Sequence, residues 1–166
     1  LHDIARAAAN PLAARIPANI RFGTSSWSFP GWQGIVYAHK ETESRLARHG
    51  LAAYARHPLL RAVGVDRTLY APVTPAVLGD YEAAVPKDFR FLVKVHEDCL
   101  LARFPDHPRY GARRGQMNPR FFDADYATDA VVGPYLEGIG AGRGALLLQF
   151  APQSVDLLGG PEGFAD

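Results

Sequence analysis

Lys94 and Asp66 are the side chains of this chain most able to do chemistry, because each stands at or next to the end of a short apolar run, Phe89–Val95 and Ala62–Asp66. A lysine ammonium at the end of a buried strand can hold a carboxylate or a phosphate. Desolvated, it can instead act as a base or a Schiff-base nucleophile. An aspartate beside it allows a third role for both, a structural ion pair. Two neutral polar groups stand in comparable places, Ser25 just past the run Ile20–Thr24 and Gln149 near the end of Ala145–Phe150. Strand alternation puts His96 on the same face as Lys94 and Leu92, and Asp66 on the same face as Gly64. Trp27, Trp32 and Tyr70 follow the first two runs. They either pack the loops or present flat faces to a sugar or a base.

A second group of residues lies in the segment 103–118, which is rich in turn residues and follows the third apolar run. Arg103, Arg109, Arg113 and Arg114 alternate there with Phe104 and Tyr110. Such a loop can clamp a phosphate or a nucleic-acid backbone, or it can be a solvated insertion. The formal net charge of only +1 weighs against nucleic acid as the main partner. His96, Glu97, Asp98 and His107 carry metal-ligating groups. They match neither H-E-x-x-H nor a Cys/His zinc spacing, so no metal site is expected from them.

Composition narrows the classes further. With 166 residues, 48% hydrophobic and 21% charged, the chain has the make-up of one soluble globular domain. Cys99 is its single cysteine, so an internal disulfide is impossible. The expected setting is a buried thiol in a reducing cytoplasm. The densest apolar run is far shorter than the ~20 residues of a spanning helix, and no membrane partner is expected.

The elements that must position these side chains follow from periodicity. The four runs read as strands, the last three nearly continuous in aliphatic and aromatic residues, as suits a sheet covered on both faces. Helical patterns separate them: 44–57, a helix opening at Thr74-Pro75 and closed by Pro86, and 119–136 with a break or kink expected at Gly133-Pro134. A fourth helix is expected to open at 160–166, and residues 1–14 have a helical pattern of their own. This alternation predicts an α/β fold with a parallel sheet and right-handed crossovers. The turn after the first strand, Gly23-Thr24-Ser25-Ser26-Trp27, lacks G-x-G-x-x-G, and no G-x-x-x-x-G-K-[ST] occurs. Neither dinucleotide nor P-loop chemistry is indicated, and the cofactor is left unknown.

Residues 21–32, Arg-Phe-Gly-Thr-Ser-Ser-Trp-Ser-Phe-Pro-Gly-Trp, resemble the opening motif of the YecE-like family, also called domain of unknown function 72. Three later segments resemble that family's motifs in the same order: Arg67–Tyr70, Asp88–Val95 with its lysine, and Leu146–Pro152 with its glutamine and proline. The resemblance implies a TIM-type barrel, of which this chain would supply about four of eight parallel strand–helix units. Residues 1–19 would then be a helical extension, and 20–166 the N-terminal half of the barrel domain. In one respect the chain departs from the family. The second strand commonly carries a Glu and an Asn two residues apart, and here those places hold Gly64 and Asp66. Barrels of this type work at the carboxyl ends of their strands. That places Ser25, Asp66, Lys94 and Gln149 in one mouth, ringed by Trp27, Trp32 and Tyr70. The expectation is an enzyme-like barrel holding a small anionic or phosphorylated ligand. The alternative is a non-catalytic module gripping nucleic acid or protein through the aromatic mouth and the arginine loop. Reaction class does not follow from the fold.

Overall fold

The computed structural model describes residues 2–158 and 160. Four strands form one parallel sheet in sequential order, β1 Phe22–Thr24, β2 Leu60–Val65, β3 Arg90–Lys94 and β4 Arg143–Leu147. The helices are α1 His2–Ala13, α2 Glu43–His49, α3 Leu51–Ala55, α4 Arg67–Tyr70, α5 Pro75–Ala83, α6 Ala124–Ala127 and α7 Gly133–Gly138. The expected alternation of strand and helix is therefore present. Among the described residues the strand order does not reverse, so they form no crevice of the kind that binds dinucleotides in doubly wound sheets.

Local chemistry explains the boundaries. The Thr42 and Thr74 hydroxyls cap α2 and α5 by accepting from the N–H groups of Arg45 (3.2 Å) and Val77 (3.4 Å). Pro75 opens α5 with the fixed φ that a first helical position needs. The expected single helix 44–57 is in fact two short ones meeting at Gly50, whose bare Cα lies against Leu46; an added Cβ would stand 2.6 Å from the Leu46 carbonyl oxygen. At Gly133-Pro134, where the sequence predicts a break or kink, the helix is irregular but continuous. The chain widens into a π-turn over Thr128–Val132, which moves the missing Pro134 N–H out of the hydrogen-bond ladder, and α7 continues from it. After β4 the chain forms a 3-10 turn at Val155–Leu158; the helix expected at 160–166 lies, Gly160 apart, outside the described residues.

One face of the sheet is covered and the other is open. Val63, Val65, Phe91 and Val93 point into a core completed by Tyr54, Leu78, Tyr135 and Ile139. Right-handed crossovers place successive helices on this same side. On the opposite face Leu92 and Leu147 remain 38% and 37% exposed, and Lys94 lies among them, paired in register with Leu147. Glu82 of α5 ties the helical layer to the start of β4: its carboxylate accepts from the N–H groups of Gly140 (2.5 Å) and Gly142 (2.9 Å). Burial pulls the Glu82 carboxyl upward, but these N–H groups and Arg143 outweigh it, and the net direction is down. No helix among the described residues is long and apolar enough to cross a membrane.

Candidate functional site at the strand ends

Lys94 is the last residue of β3, and Asp66 is the first residue past β2. Register pairs Val65 with Val93, so the two side chains leave neighbouring strands at nearly the same height. The Lys94 ammonium sits 2.8 Å from Asp66 Oδ1, with the lysine side chain 15% exposed and the aspartate 34%. Oδ1 accepts no directed hydrogen bond, so the contact is an ion pair held by charge and partial burial. Asp66 is not a strand residue as expected; its φ and ψ of −69° and −30° already belong to the helical turn that leads into α4. That turn aims the carboxylate sideways, at Lys94.

Ser25 reaches the same mouth through its backbone. A Cβ on Gly64 would stand 2.7 Å from the Ser25 carbonyl oxygen and 3.0 Å from its Cα. The position that commonly holds a family glutamate therefore has no room here for any side chain. The nearest carboxylate along the chain is Asp66, just past β2. A cleft of about 460 Å³ runs from Asp66 past Arg67, Tyr70 and Tyr81 to Ser26, Ser28 and Glu43. A second, also of about 460 Å³, shares Ser26, Ser28 and Glu43 and extends to Ser25, Phe29 and Trp32. The loop between them is stiffened by its own hydroxyls: Thr24 Oγ1 donates to the Ser26 carbonyl (2.7 Å), and Ser26 Oγ is 3.0 Å from Ser28 Oγ.

The aromatic residues divide between wall and core. Tyr70 is 59% exposed at the cleft, and Trp32 is half-buried against Phe29 in an edge-to-face pair with centroids 5.5 Å apart. Trp27 is buried, donating from Nε1 to the Leu46 carbonyl at 3.1 Å and receiving the edge of Tyr81 at 5.0 Å. It closes the cleft from behind more than it offers a stacking face. Gln149 lies two residues beyond Leu147, exposed, and the hydrogen bonds of the described residues do not include its amide.

The remaining candidates are drawn into another structure. Strand β3 ends at Lys94, so alternation no longer governs His96, which is buried at 6% exposure. Its Nδ1 is hydrogen-bonded to the Tyr126 hydroxyl at 2.8 Å, and the ring also bonds the Tyr70 backbone. Glu97–Cys99 forms a 3-10 turn. Asp98, 2% exposed, accepts from Arg113 Nη1 at 3.0 and 3.1 Å and from Arg120 Nη1 at 3.2 Å. Glu97 receives Arg109 at 2.6 Å, and the Arg109 guanidinium lies between Tyr110 and Tyr70, 4.4 and 5.3 Å from their centroids. Arg114 pairs with Asp106 at 2.5 Å. Asn118 closes the loop by donating to the carbonyls of Asp98 and Leu101, both at 2.7 Å. Arg109, Arg113 and Arg114, read from the sequence as part of either a clamp or a solvated insertion, are thus engaged with carboxylates of the chain itself. Cys99 is buried, and burial, with Asp98 and Asp123 nearby, pushes its thiol pKa up, away from a reactive thiolate.

Burial lowers the pKa of His96, with Arg120 in the same direction; the opposing pull of Asp98, the Tyr70 backbone and Glu97 is smaller. A histidine whose folded pKa lies below its unfolded 6.5 binds fewer protons folded than unfolded within that window. Stability from this group is therefore complete above about pH 6.5 and declines as pH falls below it. We expect thermal denaturation of His96→Gln to lose part of the acid-side slope of the wild-type profile. An unchanged slope would show that His96 does not contribute to it.

Glu43, Arg67 and Tyr81 line the cleft without any sequence signal that marks them as site residues. Glu43 reads as the ordinary acidic first-turn residue after an N-cap, and Arg67 as part of a strand-to-helix turn. Only the folding of α2 and α5 against the ends of β1 and β2 brings them together.

These features define an α/β protein with a singly wound parallel sheet and an ion pair at the carboxyl ends of its central strands. Residues 21–157 match the family described as "Protein of unknown function DUF72", and the chain belongs to it. A crystal structure of a DUF72 family protein from Enterococcus faecalis V583 is similar in fold, with a TM-score of 0.55 and 20% identity. The similarity covers 84% of this chain and 43% of that one, so this chain spans less than half the length of that relative. No curated protein matches the chain.

Proposed function

We propose that the chain provides about four of the eight strand–helix units of a TIM-type barrel, and that the mouth at its strand ends binds a small anionic ligand, phosphorylated or carboxylated. Sequential strand order, helices on one side only and an apolar open face with Leu92 and Leu147 support the barrel reading. The observation that carries the ligand reading is Lys94. Its ammonium is mostly buried, contacts one carboxylate, and makes no hydrogen bond among the described residues. An incoming anion can take up its N–H groups while Asp66 keeps the lysine aimed. In an enzyme-like role the same pair would hold a substrate anion at Lys94, with Asp66 as the neighbouring proton acceptor. The arginine loop supports a nucleic-acid clamp less well, because Arg109, Arg113 and Arg114 each lie against a carboxylate.

The test is thermal stabilisation by a panel of sugar phosphates and sugar acids. At least one should raise the melting temperature in a saturable way. Lys94→Ala should weaken that ligand by ten- to a hundredfold, as the loss of a charged hydrogen bond of about 1.5–3 kcal/mol implies. Lys94→Arg should retain part of the affinity. If no panel member stabilises the chain, or if Lys94→Ala binds as well as wild type, the reading fails.

A further inference from the structure

A cavity of about 300 Å³ lies in the helical layer, and its lining contains no residue of the sheet. One wall is the row Arg45, Leu46, His49, Gly50, Ala53 and Arg56, spaced three or four apart along α2 and α3 and so on one face. Arg6 of α1 closes it from one side and the segment 36–39 from the other. Three arginines, Arg6, Arg45 and Arg56, line the cavity together with a single carboxylate, Glu41, giving the lining a formal charge of +2 with its histidines neutral.

The positive charge is only partly matched inside the chain. Arg45 uses Nε alone on Glu41, at 3.0 Å. Arg6 Nη2 donates to the Arg56 carbonyl at 2.7 Å, which brings its guanidinium to the backbone of the residue whose own side chain also lines the cavity. Among the described residues the Arg56 guanidinium has neither a hydrogen bond nor an ion pair. The floor differs from this rim: Val36, Tyr37 and Leu46 are buried apolar side chains, 6%, 5% and 3% exposed. An apolar floor beside several guanidiniums suits a molecule with an apolar body and an anionic head.

We propose that this cavity is a binding site for a phosphate monoester carrying an apolar or aromatic body. The phosphate dianion matches the +2 rim and takes the planar N–H forks of Arg45 and Arg56. The body lies on Val36, Tyr37 and Leu46. Arg6 precedes the family match at 21–157, so the rim is completed by a segment outside it. The site is separate from the Lys94 mouth and does not depend on that reading.

Calorimetric titration with phenyl phosphate, inorganic phosphate and phenol tests it. Phenyl phosphate should bind one to one, more weakly as salt rises, and at least tenfold more tightly than inorganic phosphate; phenol should not saturate. Arg56→Ala should weaken phenyl phosphate at least tenfold with an unchanged melting temperature, because it removes no bond within the described structure. Arg45→Ala should act in the same direction, and Lys94→Ala should leave the affinity as in wild type. The proposal is overturned if phenyl phosphate shows no saturable binding, if Arg56→Ala binds it normally, or if Lys94→Ala abolishes the binding. Inorganic phosphate binding as tightly as the ester would overturn the role of the apolar floor.

Discussion

Replacing Arg113 and Arg120 together by alanine is expected to destabilise the protein by about 3–5 kcal/mol, the usual cost of leaving a buried charge without its partners. For a chain of this length that corresponds to a fall in melting temperature of roughly 6–20 °C. The cause is Asp98, which is 2% exposed while both arginines are about half exposed. Either arginine alone leaves the carboxylate one cation, so each single variant should cost less than half of the double. The loss should therefore exceed the sum of the single effects, a coupling that a double-mutant cycle measures directly. Adding Asp98→Asn to the double variant should restore much of the stability, because it removes the stranded charge and keeps the Asn118 bond to the residue 98 carbonyl. Additive single effects, or no recovery in the triple variant, would mean that the pairs are surface contacts of little weight.

Tyr54→Ala is the second large effect, about 3–5 kcal/mol by the measure of other buried aromatic truncations. Tyr54 is 0% exposed and packs between Trp32 and Phe89. Its hydroxyl also joins two strands, accepting from the Thr24 N–H at 3.0 Å, lying 2.8 Å from Thr24 Oγ1, and donating to the Ala62 carbonyl at 3.1 Å. Tyr54→Phe keeps the packing and removes the bridge, so about 1–3 kcal/mol is expected from the unsatisfied backbone groups. Burial pushes the Tyr54 hydroxyl pKa up, and its bonds to Thr24 only partly offset that. Because β1 has three residues and Ser25 follows it directly, the Phe variant should also loosen the mouth. Hydrogen exchange at the Thr24 amide would report this; protection equal to wild type in Tyr54→Phe would show that the hydroxyl does not hold β1.

Much of the fold was legible because its signals are local. Apolar runs bounded by turn residues located four strands, and the cap at Thr74 with Pro75 and Pro86 located the two ends of one helix. Gly50 was less legible, since a glycine within a helical pattern is tolerated as often as it interrupts. Pro134 left a break and a kink both open, because a π-turn can absorb its missing N–H without ending the helix. In the site, Lys94 and Asp66 were identified because each stands at or next to the end of an apolar run. Their 2.8 Å contact, by contrast, depends on the register of β2 against β3, which no run of residues states.

Lys94 and Asp66 thus mark the division. The sequence alone determined an α/β chain, the strand ends as the place where polar groups gather, and kinship with the DUF72 family, because periodicity, turn chemistry and ordered motifs are properties of short segments. Tertiary structure decided which charges meet. It turned Asp66 toward Lys94 through a helical turn, gave Arg109, Arg113 and Arg114 to Glu97, Asp98 and Asp106, and withdrew His96 to Tyr126. The physical reason is range: a strand or a cap is set by neighbours a few residues away, whereas an ion pair across eight or more residues exists only once packing has brought its partners within a few ångströms.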